Sequence, residues 1–539
     1  MHLSLVACSR QRSDLMACPL CAIRGRLSCH CSASKPKSSS AENSGLISVA
    51  KQTLLGFSCP LWGREGRRVE KVIGTNRSES EVSTAFLREI WQALGGDETF
   101  LNNIQISGSG DLPSIFAVSD LAAASVGAAA LAIVEFLERS TGRPAEAQVD
   151  RRLASFWFAS SIKPVGWSLP ATWDAIAGDY AVKDGWIKLH TNAPHHREAV
   201  LAVLDVQAEK TAVTRALRGW QADKLESAVV AEGGCAAAMR SLAAWADHPQ
   251  GRCVSKEPLV WREEIGRADR NAHPVNPARP LSGIRVLDLT RILAGPVATR
   301  FLAGFGAEVL RIDPIDWSEP SLEPEVTLGK RCAHLDLRKS EGQERLLSLL
   351  SQADIIIHGY RPGALDGLGL GADAREQARP GLIDICLDAY GWTGPWAGRR
   401  GFDSLVQMSS GIADAGMRNR GTDRPTPLPV QALDHATGYI MAAAAVRGLT
   451  EKLVSGVGMR ARASLARTGA LLAAYQAHQA ESPFKTPDSC DFSADEEATV
   501  WGPAHRMRPP VSLSTCHMSW DRPATQLGSS KPEWAYRES

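Results

Sequence analysis

The sequence predicts an α/β fold with a parallel sheet in its second half. From Leu281 onward, continuous apolar runs alternate with helical patterns, and strands buried on both faces are typical of parallel sheets covered by helices. The chain has 539 residues and is 44% apolar, enough for a sizeable core and two or three domains. Its formal net charge of +1 gives no electrostatic reason to expect nucleic acid or an anionic membrane as the main partner.

Residues 1–84 differ from the rest in composition, and their sequence predicts no part of the fold. The first 45 residues hold six arginines and lysines against Asp14 and Glu42, together with the serine run 38–40. This composition is typical of a mitochondrial or plastid transit peptide, although an untargeted disordered extension or an upstream start codon explains it almost as well. We therefore expect a cytoplasmic or mitochondrial protein.

The cysteines do not predict a metal site. Six of the twelve crowd the first sixty residues, and the others stand singly, as in a reducing compartment. The C-P-L-C and C-H-C run is irregularly spaced and lacks a second histidine at the distance found in zinc fingers.

Residues 85–266 carry the pattern of a small α/β unit that ends in a proline-rich linker, 267–280. The run G-D-Y-A-V-K-D-G-W-I-K-L-H-T contains a turn signal between two strand patterns and predicts a hairpin. The predicted elements are helix Thr84–Leu94, the helix of Asp120, strand 147–150, a helix reaching Trp157, the hairpin turning at 183–185, and helices His196–Leu204 and Ala212–Val230.

Residues 281–482 predict the large domain, and the proline-rich residues 483–539 predict an irregular C-terminal tail. The longest apolar stretch of the chain, Leu121 to Val134, is too short to cross a bilayer. The predicted elements of the large domain are strands Ile284–Leu289, Glu308–Ile312, Asp354–His358 and Leu382–Leu387, with helices Val297–Phe305 and Glu341–Leu350.

Two aspartates, Asp120 and Asp434, each open an alanine-rich helix. The windows D-L-A-A-A-S-V-G-A-A-A-L-A and D-H-A-T-G-Y-I-M-A-A-A-A-V align without a gap, and Gly142 and Gly456 follow at the same spacing. Free N–H groups at a helix start can hold a carboxylate ionised, and an ionised carboxylate can attack an acyl group. An aspartate at this place is more often only an N-cap, but the repeat and the residues around Asp434 favour a catalytic role.

The turn T-R-I-L-A-G-P, residues 290–296, joins the first strand of the large domain to a helix. Pro296 suits the first helical position, so the turn should leave N–H groups free for an anion, with Leu293 and Ala294 as candidate contacts. The turn lacks the G-x-G-x-x-G pattern, and the nearest acidic residue after the second strand, Asp313, is followed by proline. A nicotinamide enzyme is therefore the weaker interpretation of this sheet.

Five motifs follow one another between about residues 281 and 470. They read P-L-S-G-I-R-V-L-D-L-T-R-I-L-A-G-P, G-A-E-V-L-R-I-D, G-K-R-C-A-H-L-D-L, Y-R-P-G-A-L-D-G-L-G-L and G-F-D-S-L-V-Q-M-S-S-G. In this order they resemble the class III CoA-transferase (CaiB/BaiF) family, which includes formyl-CoA transferase. The resemblance implies a Rossmann-like large domain with a smaller α/β domain, in interlocked dimers.

The resemblance also implies a reaction, the transfer of CoA from an acyl-CoA thioester to a carboxylic acid. In that family one aspartate at the start of the helix after the G-F-D-S-L-V-Q segment attacks the thioester, and this position corresponds to Asp434. Attack gives an acyl-aspartyl anhydride and a CoA thiolate, which returns to form an aspartyl-CoA thioester for the acceptor. This chemistry needs no metal and no permanently bound cofactor, and its partners are small molecules.

CoA carries phosphate groups, so its site should be basic. The basic residues in or beside the five motifs are Arg291, Arg311, Lys330, Arg331, Arg361 and Arg400. By position, Arg291, Arg361 and Arg400 look most like the family's CoA contacts. Any one of these side chains could be a solvated surface charge, whereas a set converging on strand ends favours phosphate binding.

The order of segments departs from the family pattern. Asp120 and a section resembling the small domain come first, without a preceding sheet, whereas Asp434 follows the sheet and its small domain is missing or reduced to the tail. The chain therefore looks like a tandem fusion of two partial units. We expect the first unit's small domain to complete the second unit's site, in an intramolecular pseudo-dimer or a homodimer. Asp120 is then a structural echo of Asp434, although it stays the second candidate for the nucleophile.

Two alternative interpretations stay open. The family also includes alpha-methylacyl-CoA racemases, whose proton-transfer histidine falls at Phe402 here, and a phenyl ring cannot take a proton from an alpha carbon. The chain could also be a decayed, non-catalytic acyl-CoA-binding protein whose motifs persist as core. The acyl donor and the acceptor acid stay open, because the pocket depends on the small domain.

Overall fold

A computed structural model describes residues 79–267, 275–475 and 483–535. The cysteine-rich segment, the predicted transit peptide and most of the predicted linker lie outside these residues. The helices are α1 (Glu79–Ala93), α2 (Val118–Thr141), α3 (Arg151–Trp157), α4 (Pro194–Leu204), α5 (Lys210–Leu217), α6 (Ala222–Ala231), α7 (Leu242–Asp247), α8 (Pro249–Val254), α9 (Ala294–Gly304), α10 (Glu323–Val326), α11 (Ser340–Leu350), α12 (Ala372–Ala378), α13 (Asp403–Ser409), α14 (Ile412–Arg420), α15 (Ala432–Ser455) and α16 (Leu465–Ala473).

The strands form one large sheet and three small ones in the described part of the chain. They are β1 (Ile104–Ser107), β2 (Ala147–Asp150), β3 (Ile162–Pro164), β4 (Gly178–Val182), β5 (Gly185–Leu189), β6 (Ala236–Ala238), β7 (Trp261–Arg267), β8 (Arg285–Leu289), β9 (Glu308–Asp313), β10 (Lys330–His334), β11 (Ile355–His358), β12 (Ile383–Asp388), β13 (Val457–Ser464), β14 (Phe492–Thr499), β15 (Gly502–Met507) and β16 (Val511–Leu513).

The large sheet has the strand order β10-β9-β8-β11-β12-β13-β7. All neighbours are parallel except β7, which runs antiparallel to β13. Side chains alternate between the two faces: Ile355 and Ile357 pack in the apolar cluster that includes α9 and α15, whereas Ile356 packs with α11. Helices therefore cover both faces, which confirms the predicted α/β fold class.

Several predicted boundaries differ from the structure. Helix α1 begins at Glu79, before the predicted start of the fold at residue 85. The single helix predicted at Ala212–Val230 is two helices, because the chain breaks at Trp220, whose carbonyl accepts the Lys183 N–H of the β4-β5 turn (2.9 Å). Helix α9 begins at Ala294, so its proline is the third helical residue rather than the first.

The sequence repeat is also a structural repeat. Helices α2 and α15 both have 24 residues, and their N-caps, Ala117 and Gln431, have similar backbone angles (φ −73°, ψ 60° and φ −77°, ψ 64°). Both helices end at a left-handed glycine, Gly142 or Gly456, which has no Cβ to oppose that conformation. A strand and a helix follow in each case, β2 and α3 or β13 and α16.

The two halves of the chain exchange strands. Strand β2 lies between parallel β1 and antiparallel β16, and β13 lies in the same way between β12 and β7. Strand β7 comes from the first half but pairs with β13 of the second, whereas β16 comes from the C-terminal region but pairs with β2 of the first. The two halves are therefore interlocked within one chain.

The C-terminal tail is more regular than the sequence predicted. Strands β14 and β15 form an antiparallel pair, and β15 also pairs with β3 of the first half. Two indole N–H groups fasten the following residues to the large domain, Trp520 on the Arg300 carbonyl (2.9 Å) and Trp534 on the Leu349 carbonyl (3.0 Å). These partners are distant in sequence, so local patterning could not reveal them.

Helix α2 alone, among the described residues, is long and apolar enough to cross a membrane. Its most apolar stretch is entirely buried inside the protein. The same composition suits a helix that is surrounded by protein on all sides, and α2 packs along α15 in the main apolar cluster.

Candidate functional site

Asp434 lies in the first turn of α15, three residues after the N-cap Gln431, and is 6% exposed. The backbone N–H groups of Leu433 and Asp434 donate to one oxygen, Oδ2 of Asp403, at 2.8 and 3.0 Å. The prediction that such N–H groups hold Asp434 ionised is therefore wrong, because the side chain of Asp403 reaches this helix start from α13 and accepts them.

Asp403 belongs to a small buried network. Its Oδ1 accepts a hydrogen bond from Gln407 Nε2, and Gln407 Oε1 accepts the Leu428 N–H (2.7 Å). This network holds the segment that leads into α15 against α13. Burial raises the pKa of Asp403 to about 6, while the hydrogen-bond donors act in the opposite direction.

The Asp434 carboxylate accepts no hydrogen bond and forms no ion pair among the described residues. Burial, followed by repulsion from Asp403, raises the pKa of Asp434 well above its ordinary range. A buried carboxylate without a partner is costly to ionise, and such groups are concentrated at functional sites because reactivity depends on them.

Asp120 occupies the equivalent helix position in a different environment. It is fully buried, and its two oxygens accept hydrogen bonds from Ser83 Oγ (2.6 Å) and Arg151 Nη2 (3.0 Å). Arg151 also binds Asp111 and the Gly110 carbonyl. Because Asp120 is enclosed and neutralised by a cation, this packing favours a structural role and argues against its predicted candidacy as nucleophile.

The turn after β8 lies beside the helix of Asp434. Ile292 has φ +67°, a conformation that β-branched residues rarely adopt, and its N–H donates to Glu319 (2.9 Å). A Cβ on Gly438 would lie 2.4 Å from the carbonyl oxygen of Ala294. Gly438 thus permits close approach one helical turn after Asp434.

The predicted contacts Leu293 and Ala294 are therefore near the candidate nucleophile. Their side chains are buried, so only their backbone groups could face a ligand.

The structure brings Arg291, Arg361 and Arg400 to loops at the carboxyl ends of neighbouring strands, β8, β11 and β12. Arg291 donates to the Tyr360 hydroxyl (2.9 Å), and Arg400 donates to the Gly233 carbonyl (3.0 Å). Burial and then the charge of Arg400 lower the pKa of Arg361, and neither side chain has an ion-pair partner among the described residues. Arg291 differs, because its guanidinium lies 3.8 Å from Asp313. Arg361 and Arg400 are thus neighbouring cations without acidic partners, which suits a phosphate group.

The other predicted phosphate contacts lie elsewhere. Arg311 is buried in β9 and paired with Asp313 (2.8 Å) and Glu319 (2.6 Å). Lys330 is buried in β10 and paired with Asp288 (3.0 Å). Each cation already has carboxylate partners inside the domain, so this packing argues against direct CoA binding by Arg311 and Lys330.

Arg331 lies at the opposite ends of the strands from the loop arginines. It is near the amino ends of β9 and β10, where its guanidinium is 3.6 Å from Glu308 and donates to the Glu533 carbonyl (2.6 Å). It therefore fastens the C-terminal tail and is separated by the length of the strands from the loop arginines.

The first half of the chain supports the loop that carries Arg400. Gln250 Nε2 donates to the carbonyls of Tyr390 and Thr393, each at 2.8 Å. Glu257 accepts the N–H groups of Trp392 (2.9 Å) and Thr393 (2.8 Å). The small-domain side of the first half is thus in contact with the site of the second half.

The small domain also contacts Phe402, the position of the racemase histidine. The imidazole of His190 stacks on the Phe402 ring with centroids 3.8 Å apart. Burial lowers the pKa of His190 to about 4, so the ring is neutral near pH 7.

Sequence reasoning missed Asp403 and His190 as parts of the site. The sequence showed Asp403 only as one residue of the G-F-D-S motif. Nothing in the neighbouring residues indicated that its side chain binds the start of α15.

The sequence comparisons match the second half of the chain to known proteins. The family model for CoA-transferase family III matches residues 281–500. A probable fatty acyl-CoA transferase of Mycobacterium tuberculosis is 34% identical over 34% of this chain and 49% of its own length. The human succinyl-CoA:glutarate CoA-transferase is 32% identical over 34% of this chain and 45% of its own length. The chain thus spans about half the length of the curated relatives it matches.

The crystal structure of a CaiB/BaiF family protein from Brucella suis is 27% identical, covers 42% of this chain and 65% of its own, and has a TM-score of 0.33. The similarity to this family rests on the sequence matches and on the motifs between residues 281 and 470. Residues 281–500 match the model of CoA-transferase family III.

Proposed function

We propose that this protein transfers CoA from an acyl-CoA thioester to a carboxylic acid, with Asp434 as the covalent nucleophile. The observation that carries the proposal is the buried, unpartnered carboxylate of Asp434 in a family III domain. The loop arginines Arg361 and Arg400 support it, because they offer positive charge for the phosphates of CoA at the carboxyl ends of the parallel strands.

The reaction begins when a carboxylate oxygen of Asp434 attacks the thioester carbon. A carbon–oxygen bond forms, the carbon–sulfur bond breaks, and CoA leaves as a thiolate, so that Asp434 becomes part of an acyl anhydride. The thiolate attacks the aspartyl carbonyl and releases the donor acid, which leaves an aspartyl-CoA thioester. The acceptor carboxylate attacks that thioester, the carbon–sulfur bond breaks, and an acceptor–aspartyl anhydride and a CoA thiolate are formed. The thiolate then attacks the acceptor carbonyl, which gives the product thioester and frees the Asp434 carboxylate.

We propose further that one chain builds one such site as an intramolecular pseudo-dimer. The strand exchange of β7 and β16, and the contacts of Gln250 and Glu257 with the Arg400 loop, support this assembly. The equivalent carboxylate, Asp120, is held by Arg151 and takes no part in the reaction.

The test is hydroxylamine trapping with a short-chain, a dicarboxylic and a long-chain acyl-CoA. Hydroxylamine cleaves the aspartyl-CoA thioester, so mass spectrometry of the digested protein should find a hydroxamate at residue 434. The Asp434→Asn variant should lose this modification, whereas the exposed control Asp423→Asn should retain it. CoA binding without a hydroxamate would support the non-catalytic alternative.

A further inference from the structure

We infer that Asp403 is a positioning residue that makes Asp434 a stronger nucleophile, by taking the donors at the start of α15 and by placing a second negative charge beside it. This inference rests on the proposed function, because it concerns the reactivity of the same carboxylate.

The hydrogen-bond donors at the start of α15 bind Asp403 and leave Asp434 without a donor. A carboxylate in the first helical turn is normally stabilised by the free N–H groups there. Here the N–H groups of Leu433 and Asp434 point to Asp403 Oδ2. The Asp434 side chain is thus left without the donors that its position would otherwise supply, and donors that bind the charged form of a carboxylate lower its basicity.

The charges around the two carboxylates are not balanced in the same way. Gln407 and the backbone donors compensate Asp403, and Asp434 receives only the repulsion of that charge. Of the charged or titratable groups on the packed elements, Lys188 is paired with Asp179 but also attracts the charge of Asp403, and Arg300 is paired with Glu325. Burial lowers the pKa of His190 to about 4 and that of His435 to about 3, so both rings are neutral near pH 7.

The charge of Asp434 changes during the reaction. When Asp434 attacks the thioester carbon, its negative charge passes to the leaving CoA sulfur, and the anhydride formed on Asp434 is neutral. The repulsion between the two aspartates is therefore present before the attack and absent after it, so that it favours acyl transfer. A more basic carboxylate is also a better nucleophile once it is ionised.

The test is the pH profile of acylation by the acyl-CoA that labels the wild-type protein best. Asp403→Asn retains the size of the side chain and an oxygen that can accept the two N–H groups, but removes the charge. We expect the midpoint of the acidic limb to fall by at least about one pH unit, a tenfold change in the ionisation constant, and the rate above it to fall a few-fold.

Two variants separate this effect from a loss of structure. Asp403→Glu retains the charge and should restore the high midpoint. Gln407→Leu removes a donor of the same network but leaves the charge of Asp403, so its midpoint should stay high or rise. A midpoint that is unchanged in Asp403→Asn, or that falls equally in Gln407→Leu, would overturn the inference.

A second measurement needs no turnover. The carboxylate band of the infrared spectrum is followed as a function of pH in wild type and in Asp434→Asn. The difference between the two spectra reports the ionisation of Asp434 directly. Its midpoint should be lower in the Asp403→Asn background. If this shift is found but no hydroxamate forms, the proposed function fails and the electrostatic coupling stands; if acylation occurs without any shift, only the inference fails.

Discussion

The two aspartates that match in sequence should respond in opposite ways to the same substitution. Asp120→Asn and Asp434→Asn each replace a carboxylate by an amide at the third residue of a 24-residue helix. We expect Asp120→Asn to retain turnover and lose stability, and Asp434→Asn to lose turnover and gain stability. The reason is that Arg151 compensates Asp120, whereas no described cation compensates Asp434.

The magnitude for Asp120 follows from its partners. Breaking a buried ion pair by removing one charge costs about 3–5 kcal/mol. Arg151 would retain its bonds to Asp111 and to the Gly110 carbonyl, and an asparagine oxygen could still accept a bond from Ser83. We therefore expect a loss of about 2–3 kcal/mol in the free energy of unfolding, below the full cost of an isolated buried charge.

The direction for Asp434 follows from the sign of its pKa shift. A folded-state pKa above the unfolded value means that the carboxyl favours folding while it is protonated at low pH. That contribution is lost as the pH rises through the folded-state pKa. The stability gained in Asp434→Asn should accordingly be larger at pH 8 than at pH 5.

Urea unfolding at pH 5 and pH 8 measures both stabilities, and hydroxamate formation measures both activities. The exposed substitution Asp423→Asn serves as the control, with little expected change in either quantity. If Asp120→Asn is fully folded but inactive, and Asp434→Asn retains turnover, then Asp120 is the nucleophile. An equal loss of stability in both variants would contradict the assigned environments.

Two further predictions concern packing around the site. Burial raises the pKa of Asp388 to about 7, so its stabilising contribution is lost as the pH rises from the unfolded-state pKa through that value, and the stability that Asp388→Asn gains over wild type in urea should be larger at pH 8 than at pH 5. In Gly438→Ala the new Cβ would lie 2.4 Å from the Ala294 carbonyl oxygen, which should cost about 1–3 kcal/mol and reduce acylation. Gly367→Ala, with no atom within 4 Å of the new Cβ, is the matched control, and equal unfolding of the two alanine variants would contradict the close approach.

Much of the fold was predictable because its signals are local. A few consecutive residues are enough to predict the buried strand at Ile355–Ile357 and the hairpin turn near Lys183. The matched windows at Asp120 and Asp434 likewise predicted two equivalent helices, and the order of the five motifs indicated the family.

The tertiary structure alone decided what each charged residue does. Arg311 and Arg361 both follow motif positions, yet one is paired inside β9 and the other lies on a loop at a strand end without an ion-pair partner. The role of a charged side chain depends on its neighbours in space, and those neighbours come from distant parts of the chain.

By itself, the sequence determined the α/β class, the repeat and the candidate nucleophile, because backbone periodicity and motif order are written in consecutive residues. Only the folded chain decided that β7 and β16 cross between the halves, that Arg151 neutralises Asp120, and that Asp403 takes the donors beside Asp434. These outcomes depend on long-range pairing and on burial, which raises or cancels the cost of a charge according to the partner that the fold supplies.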